Sequence, residues 1–435
     1  MKHYAIIGSG IMGMTLALRL AQRGNKVTVF ESAPGAGGLA SSWEMNGIVW
    51  DRFYHVILMS DINTRKILRE IGLEDEIRWV ETKTGFYSDG KLYSMSNMIE
   101  FFKFPPINLI DKFRLGLTIF VASRIKNWKN LETIPVATWL QNWSGKRVFE
   151  KIWLPLLKAK LGENYKNTSA AFIWTTIQRM YAARRSGLKK EMFGYVKGGY
   201  NRVISRFTSH LTGLGVEFRF NNNVKTIRSA NNGLEVLIEN CKPELFDKVI
   251  STLPSQLSVK IAEGLNEHEK KLHNSIKYLG VICPSVLLKK AISPYYVTNI
   301  TDNWPPFTGI IEMTALIDKM ELNGNHLVYL PKYVEPEDKL FTKKDPALKA
   351  IFLGALLKMY PQITEDDIVF WGVSKARIVF ALPTLNYSEN LPGIRTSINN
   401  YYIVNSAQII NGTLNVNETI QVAETKLDEI IYGKE

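Results

Sequence analysis

Three glycines open the chemistry of this chain: Gly8, Gly10 and Gly13 fall in the run Gly8-Ser9-Gly10-Ile11-Met12-Gly13. Ahead of them, Tyr4-Ala5-Ile6-Ile7 is a short apolar run suited to a buried parallel strand. Behind them, Met14–Arg23 reads as a helix stopped by Gly24-Asn25, and Lys26–Phe30 as a second strand ending at Glu31. Strand, glycine turn, helix, strand and acid in this order specify a dinucleotide site. The glycines permit a tight turn and bring a pyrophosphate close to the helix N-terminus, where unpaired N–H groups and the helix dipole favour anions. Glu31 is placed to accept from a ribose hydroxyl and to repel a 2′-phosphate. The fingerprint alone leaves NAD and FAD open.

A second chemical candidate follows in Trp50-Asp51-Arg52-Phe53-Tyr54-His55. A histidine beside a redox ring could donate to it or act as acid or base near neutral pH; its bland alternative is a packed, satisfied side chain. Arg377 is the second catalytic candidate, and it, Tyr387, Tyr200 and Lys158 are candidates for lining a substrate cavity. The chain has no Ser/His/Asp order, no P-loop and no helical His-x-x-x-His, which leaves hydrolase and metal chemistry without support. Cys241 and Cys283, with no C-x-x-C, fit a reducing, cytoplasmic setting and form no metal site.

The residues after Glu31 narrow the cofactor. Pro34-Gly35-Ala36-Gly37-Gly38-Leu39-Ala40-Ser41-Ser42 resembles the second glycine motif of the amine-oxidase-type FAD superfamily, which includes monoamine oxidases, phytoene desaturases and protoporphyrinogen oxidases. Lys197-Gly198-Gly199-Tyr200, Gly215-Val216-Glu217-Phe218 and Val224 resemble that family's return to its FAD domain, and Lys248–Pro254 resembles the strand and turn that follow. Tyr402–Gln408, Gly412-Thr413-Leu414-Asn415 and a helix from Glu418 resemble its closing segment. The resemblance implies bound FAD, held by Gly37, Gly38, Leu39 and Ala40, by the backbone of Val224 at adenine, and by Asn405, Thr413, Leu414 and Asn415. It also places His55 beside the flavin. The chain departs from the family pattern at Asn411, Asn415 and Asn417, where an acid or glycine is usual, and at Leu39, where many relatives carry Arg.

The resemblance implies an α/β fold in which a Rossmann-type FAD-binding domain is assembled from discontinuous segments, 1–85, 195–255 and 385–435. A helical insert then spans 86–194, and a mixed α+β, sheet-based substrate domain spans 256–384. In the insert, Leu109, Phe113, Leu117, Phe120 and Val121 share one apolar helix face. Strands are expected at Val281–Leu288, Gly309–Met313, Leu327–Leu330 and Ile378–Leu382 in an antiparallel sheet, with a helix at Pro346–Lys358. No repeat or long linker interrupts the chain.

The 435 residues carry 54 Lys+Arg against 41 Asp+Glu, a net charge of +13. Residues 103–202 hold 19 basic and 5 acidic side chains and five of the ten tryptophans, so the whole excess lies in one block. Basic residues among aromatics suit an anionic membrane surface or an anionic substrate; with no nucleic-acid module in the chain, no nucleic acid is expected. The glycines at 8, 10 and 13 break any signal-peptide core. Ile107–Ser123 contains Asp111, Lys112 and Arg114 and is too polar to span a bilayer.

These features together imply an FAD-dependent oxidoreductase that takes a hydride from a hydrophobic or amphipathic substrate and passes electrons to oxygen or a quinone, resembling most the protoporphyrinogen-oxidase branch. The alternative is a non-redox flavoenzyme similar to UDP-galactopyranose mutase, acting on a nucleotide sugar. The sequence leaves the oligomeric state open.

Overall fold

A computed structural model describes residues 1–184, 191–239, 241–410 and 413–433 of the chain. Five short strands from four separate stretches build its parallel sheet, in the order Glu217–Arg219, Lys26–Phe30, His3–Ile7, Lys248–Ser251, Tyr401–Ile403. The two central strands are apolar because both faces are covered, as parallel sheets require. Helix Ile11–Gln22 crosses between the first two strands and is buried from Ile11 to Leu20, lying between the sheet and the C-terminal helix Val416–Tyr432.

Two charged side chains lock this assembly. Arg19 forks onto both carboxylate oxygens of Glu70 at 2.6 and 2.8 Å and donates from Nε to Glu424 at 2.8 Å, joining three helices from opposite ends of the chain. Lys248, 4% exposed, donates to the carbonyls of Ile430 and Ile431 at 2.5 and 3.1 Å. A cation at the last carbonyls of a helix satisfies orphan acceptors and opposes the negative end of its dipole.

The second large sheet has eight strands. Its centre is Tyr278–Leu288, buried throughout, flanked by His326–Tyr329, Lys332–Val334 and the long Ile368–Ala381. The expected strands at 281–288, 309–313, 327–330 and 378–382 lie within or overlap observed strands, and helix Asp345–Met359 covers the expected 346–358. Two features differ from the sequence expectation. Thr84–Ser88 and Lys91–Ser94, straddling the position where a helical insert was expected to begin, join this sheet, and Thr84–Ser88 pairs parallel to Val297–Ile300, so the sheet is mixed. Its partner strand is 213 residues away, a pairing that no local pattern encodes.

Between residues 98 and 184 the chain is helical, with Met98–Lys103, Leu109–Arg124, Val136–Ser144 and Ala170–Arg184 as its main elements. One apolar cluster fills the space between these helices and one face of the eight-stranded sheet, and a second lies on the sheet's other face against Asp345–Met359. Among the described residues no helix is long and apolar enough to cross a membrane.

Replacing Arg19 by Met takes the shared, nearly buried cation from Glu70 and Glu424 and leaves them only Gln22 and Lys66. Removing one partner of such a buried group costs about 3 kcal/mol. Thermal unfolding of Arg19→Met should therefore begin well below that of the parent; an unchanged midpoint would mean that the three helices are held by apolar packing alone.

Candidate functional site

The glycine turn is shaped by contacts that exclude a side chain. A Cβ on Gly13 would lie 2.0 Å from the Gly8 carbonyl oxygen, and Gly8 itself has φ +105°. Gly10 differs: a Cβ there meets nothing within 4 Å, so the turn keeps open space on the side where helix Ile11–Gln22 begins. That helix has no side-chain cap and no acid in its first turn. The second turn closes over the first, with Gly37 N–H donating to the Ser9 carbonyl at 2.9 Å and Gly38 so close to Gly10 that a Cβ would sit 3.3 Å from its Cα. Ala40 is buried beneath this pair, and Leu39 packs toward the apolar cluster of the helices and large sheet.

Glu31 stands at the rim of the same turn. Its carboxylate accepts from the Ser9 N–H and hydroxyl and from the Ala33 N–H, each at 2.9 Å. Its backbone carbonyl accepts from Asn222 N–H at 2.9 Å, two residues before Val224, so the structure brings Glu31 and the start of strand Val224–Ala230 together. Open space at Gly10, an uncapped helix N-terminus and an acid at the rim fit the pyrophosphate and ribose of a dinucleotide.

In the closing segment Asn405 is committed internally: its amide donates to Leu253 O at 2.9 Å and to the Ser255 hydroxyl at 3.2 Å, and its oxygen caps Ala407. It braces the turn after Lys248–Ser251, leaving its side chain little to offer a cofactor. Asn415 caps the C-terminal helix through Glu418 N–H, and Asn417 accepts from Asn63 and Thr64 N–H. Two of the asparagines that depart from the family pattern thus hold helix ends. Thr413 is half-buried, and Leu414 packs against the nucleotide-domain cluster and the helical cluster at once. Asn411 and Gly412 lie outside the described residues.

Asp51, which the sequence offered only as a neighbour of His55, is the most connected residue of the site. It is 2% exposed, its Oδ1 accepts from Tyr200 N–H at 2.8 Å, and its carbonyl accepts from the Tyr329 hydroxyl at 2.6 Å. Burial pushes its carboxyl up to about 8, outweighing the backbone N–H groups of Tyr200 and Asn201 that favour the charged form. His55 follows one helical-type step later, its Nδ1 3.9 Å from Asp51 Oδ2 and 2.9 Å from the Phe53 carbonyl. A carbonyl can only accept, so Nδ1 carries the proton and Nε2 is an acceptor. Burial pulls the His55 ring down to about 4. Both shifts favour the neutral form, and burial holds the ring below the near-neutral range expected of it from sequence. The Tyr200 ring packs against His55 in a tilted arrangement, centroids 4.8 Å apart, and Trp50, Tyr195 and Met313 complete a small enclosed cavity with them.

Beyond His55 the wall becomes aromatic. Tyr54 and Tyr333 share a hydroxyl contact at 3.3 Å, and the Lys160 ammonium lies 3.2 Å from the centre of the Tyr333 ring and 5.5 Å from that of Phe380. Sequence reasoning missed Tyr333 and Lys160, which only the folded sheet and helices bring to Tyr54. Arg377, a catalytic candidate from sequence, is not brought to His55. It is exposed, donates to the Pro336 carbonyl and stacks at 4.7 Å on Phe341, which belongs to the cluster on the other face of the sheet. Its strand neighbour Ala376 points to the site side instead, as strand alternation dictates. Lys158 is exposed, and Tyr387 is buried with its hydroxyl on the Ala407 carbonyl, so neither stands with His55. Among the described residues no cluster of His, Cys, Asp or Glu is placed to hold a metal.

The family model described as flavin containing amine oxidoreductase matches residues 11–391, and the chain belongs to that family; its cofactor is FAD. It is 24% identical over 258 residues to a 1-hydroxycarotenoid 3,4-desaturase of Flavobacterium sp., covering 53% of this chain and 52% of that one. It is likewise 24% identical over 293 residues to coproporphyrinogen III oxidase of Staphylococcus aureus, covering 59% and 61%. The chain thus spans about half the length of the curated relatives it matches. The crystal structure of a reduced UDP-galactopyranose mutase superposes with a TM-score of 0.75 over 100% of this chain and 96% of that one, at 15% identity, which shows the shared fold.

Two predictions follow from the geometry. Gly10→Val should fold, because a Cβ there meets nothing within 4 Å, yet purify without the yellow of bound FAD, whereas Gly13→Val should fail to accumulate as folded protein. Circular dichroism and the visible spectrum separate the two outcomes, and a yellow Gly10→Val protein would remove the pyrophosphate from this turn. The second concerns Asp51, whose folded-state value near 8 lies above the ordinary 3.8. A raised carboxyl contributes stability below pH ~4 that is lost as pH rises toward ~8. The stability of the parent relative to Asp51→Asn should therefore fall across that window; a difference independent of pH would show that Asp51 stays ionised.

Proposed function

We propose that this member of the flavin containing amine oxidoreductase family removes a hydride from a hydrophobic or amphipathic substrate, passes the electrons to oxygen or a quinone, and works at an anionic membrane surface. The observation that carries the substrate class is the aromatic wall of Tyr54, Tyr333 and Phe380 with the single ammonium of Lys160 laid over it. Such a wall suits an extended apolar or conjugated body, and the cation suits an anionic group at one end. The names of the two curated relatives, a carotenoid desaturase and a porphyrinogen oxidase, support the same pairing of large apolar frameworks with oxidation.

Bound FAD supplies the two-electron acceptor that takes the hydride. The chain's own residues then orient and exclude water. His55, neutral and with Nε2 as acceptor, positions a donor of substrate or cofactor rather than withdrawing a proton, since a group near 4 is a weak base at neutral pH. Asp51 fixes the His55 loop from behind. The arrangement favours hydride loss from a carbon already activated by conjugation or a heteroatom over removal of an unactivated proton.

Anaerobic mixing tests the reading. Porphyrinogens, polyene acids and their esters should bleach the visible flavin band, and readmitted air or a quinone should restore it. Lys160→Met should weaken binding of the acids about tenfold, or roughly 1.4 kcal/mol, and leave the esters unchanged; His55→Ala should slow bleaching while FAD stays bound. Bleaching by none of these, together with turnover of a UDP-sugar by the reduced protein, would replace the oxidase reading with a mutase.

A further inference from the structure

Helix Leu109–Arg124 is amphipathic the wrong way round. Its inward positions are Asp111, Lys112, Leu115, Thr118, Ala122 and Ser123. Its largest apolar side chains point outward: Leu109, Ile110, Phe113, Leu117 and Phe120 are 59, 70, 66, 49 and 52% exposed. The sequence had grouped most of these on one face, and the structure turns that face to solvent. The preceding helix Met98–Lys103 buries none of its residues and exposes Met98, Ile99 and Phe102. Phe102 and Phe113 meet edge to face at 6.3 Å, which joins the two helices' apolar stripes into one patch. Isolated exposed leucines are ordinary; a contiguous patch of eight large apolar side chains marks an interaction surface.

The charges around the patch have one sign. Lys103, Arg114, Arg124 and Lys126 are exposed, and Arg124 lies 5.0 Å over the Phe120 ring. The two acids of the segment are engaged locally: Glu100, partly exposed, accepts from the Ser94 hydroxyl and Ser96 N–H, and Asp111, 6% exposed, pairs with Arg147. A second copy of the chain would bring cation against cation, so self-association on this face lacks charge complementarity. An anionic bilayer supplies both halves: its acyl boundary covers the phenylalanines and leucines, and its headgroups neutralise the rim.

We propose that helices Met98–Lys103 and Leu109–Arg124 form a monotopic membrane anchor that lies in the plane of an anionic bilayer, with Phe113, Leu117 and Phe120 below the headgroups. The inference rests on the preceding reading only for the membrane setting. The anchor itself follows from the exposed face, and a helix of 16 residues is too short to span.

Co-sedimentation of the FAD-loaded protein with phosphatidylglycerol/phosphatidylcholine vesicles tests it. The parent should bind these vesicles at low salt, bind pure phosphatidylcholine at least tenfold less, and dissociate as salt is raised. Phe113→Ser/Phe120→Ser should lose binding at least tenfold while keeping its colour and unfolding midpoint; Lys103→Gln/Lys126→Gln should shift only the anionic-lipid preference. A parent that ignores vesicles, or a serine variant that binds as well as the parent, overturns the anchor. Concentration-dependent dimerisation abolished by the same serines, without vesicle binding, assigns the face to a second copy instead. Flavin bleaching by detergent-dispersed substrate needs no membrane, so failure of the anchor and failure of the oxidase reading remain separable.

Discussion

Three distant segments of the candidate site are referred to one residue, Asp51. Its side chain accepts from the N-terminus of helix Gly199–Gly213, and its carbonyl accepts from Tyr329 of the large sheet. Segments 149 and 278 residues away therefore meet on one residue. The fit is close: a Cβ on Gly199, which has φ +64°, would lie 2.9 Å from Asp51 Oδ1. The helix must begin with glycine at that point for its N–H groups to reach the carboxyl. His55 then inherits its position from a loop whose starting residue is pinned on both sides. A buried carboxyl is costly to ionise, and the one arrangement that keeps it satisfied is the one that assembles three distant segments.

The nucleotide domain obeys a parallel constraint at larger scale. Its sheet takes strands from residues near 5, 28, 218, 250 and 402, so chain entropy works against closing it. Apolar burial between sheet and helices supplies the driving force but little direction, whereas the Arg19 fork and Lys248 fix which helix lies where. Arg19 bridges Glu70 and Glu424, and Lys248 grips the last turn of the helix that Glu424 belongs to. The C-terminal helix is thereby held at both the first and the fourth strand's surroundings. Leu414, at its entrance, touches the apolar clusters of both halves of the molecule.

What was legible in the sequence was whatever short-range chemistry decides. Gly8, Gly10, Gly13 and Glu31 are set by the geometry of one turn, and Ile6, Val27 and Val29 by the need to fill both sides of one strand. The strands of the large sheet were legible as runs, because buried central strands are apolar along their length. Its order was not, since Thr84–Ser88 finds its partner only through tertiary packing. That Arg377 lies apart from His55 was illegible for a similar reason: which face of Ile368–Ala381 it occupies depends on register, and a shift of one residue reverses the answer. Lys160, Tyr333 and Tyr54 carry no mutual signal in sequence because three different elements deliver them. Helix Leu109–Arg124 was read correctly as one apolar face, but periodicity says where a face is and not what covers it.

The electrostatics of the site lead one step further. Asp51 and His55 sit close together, yet burial pushes them in opposite directions, the acid up to about 8 and the imidazole down to about 4. An ion pair would require the proton to sit on the weaker base of the two, so both shifts work against an Asp51–His55 ion pair. The polypeptide thus builds a low-dielectric, oriented neighbourhood around Asp51 and His55. A charge at this wall is Lys160, laid over the Tyr333 ring, whose hydroxyl reaches Tyr54 beside His55. In such surroundings a fixed cation acts over a longer range than it would in water. Lys160 therefore acts on a charge at the Tyr54–Tyr333 wall more strongly than any group on the exposed basic surface does, and it adds no charge to Asp51 or His55.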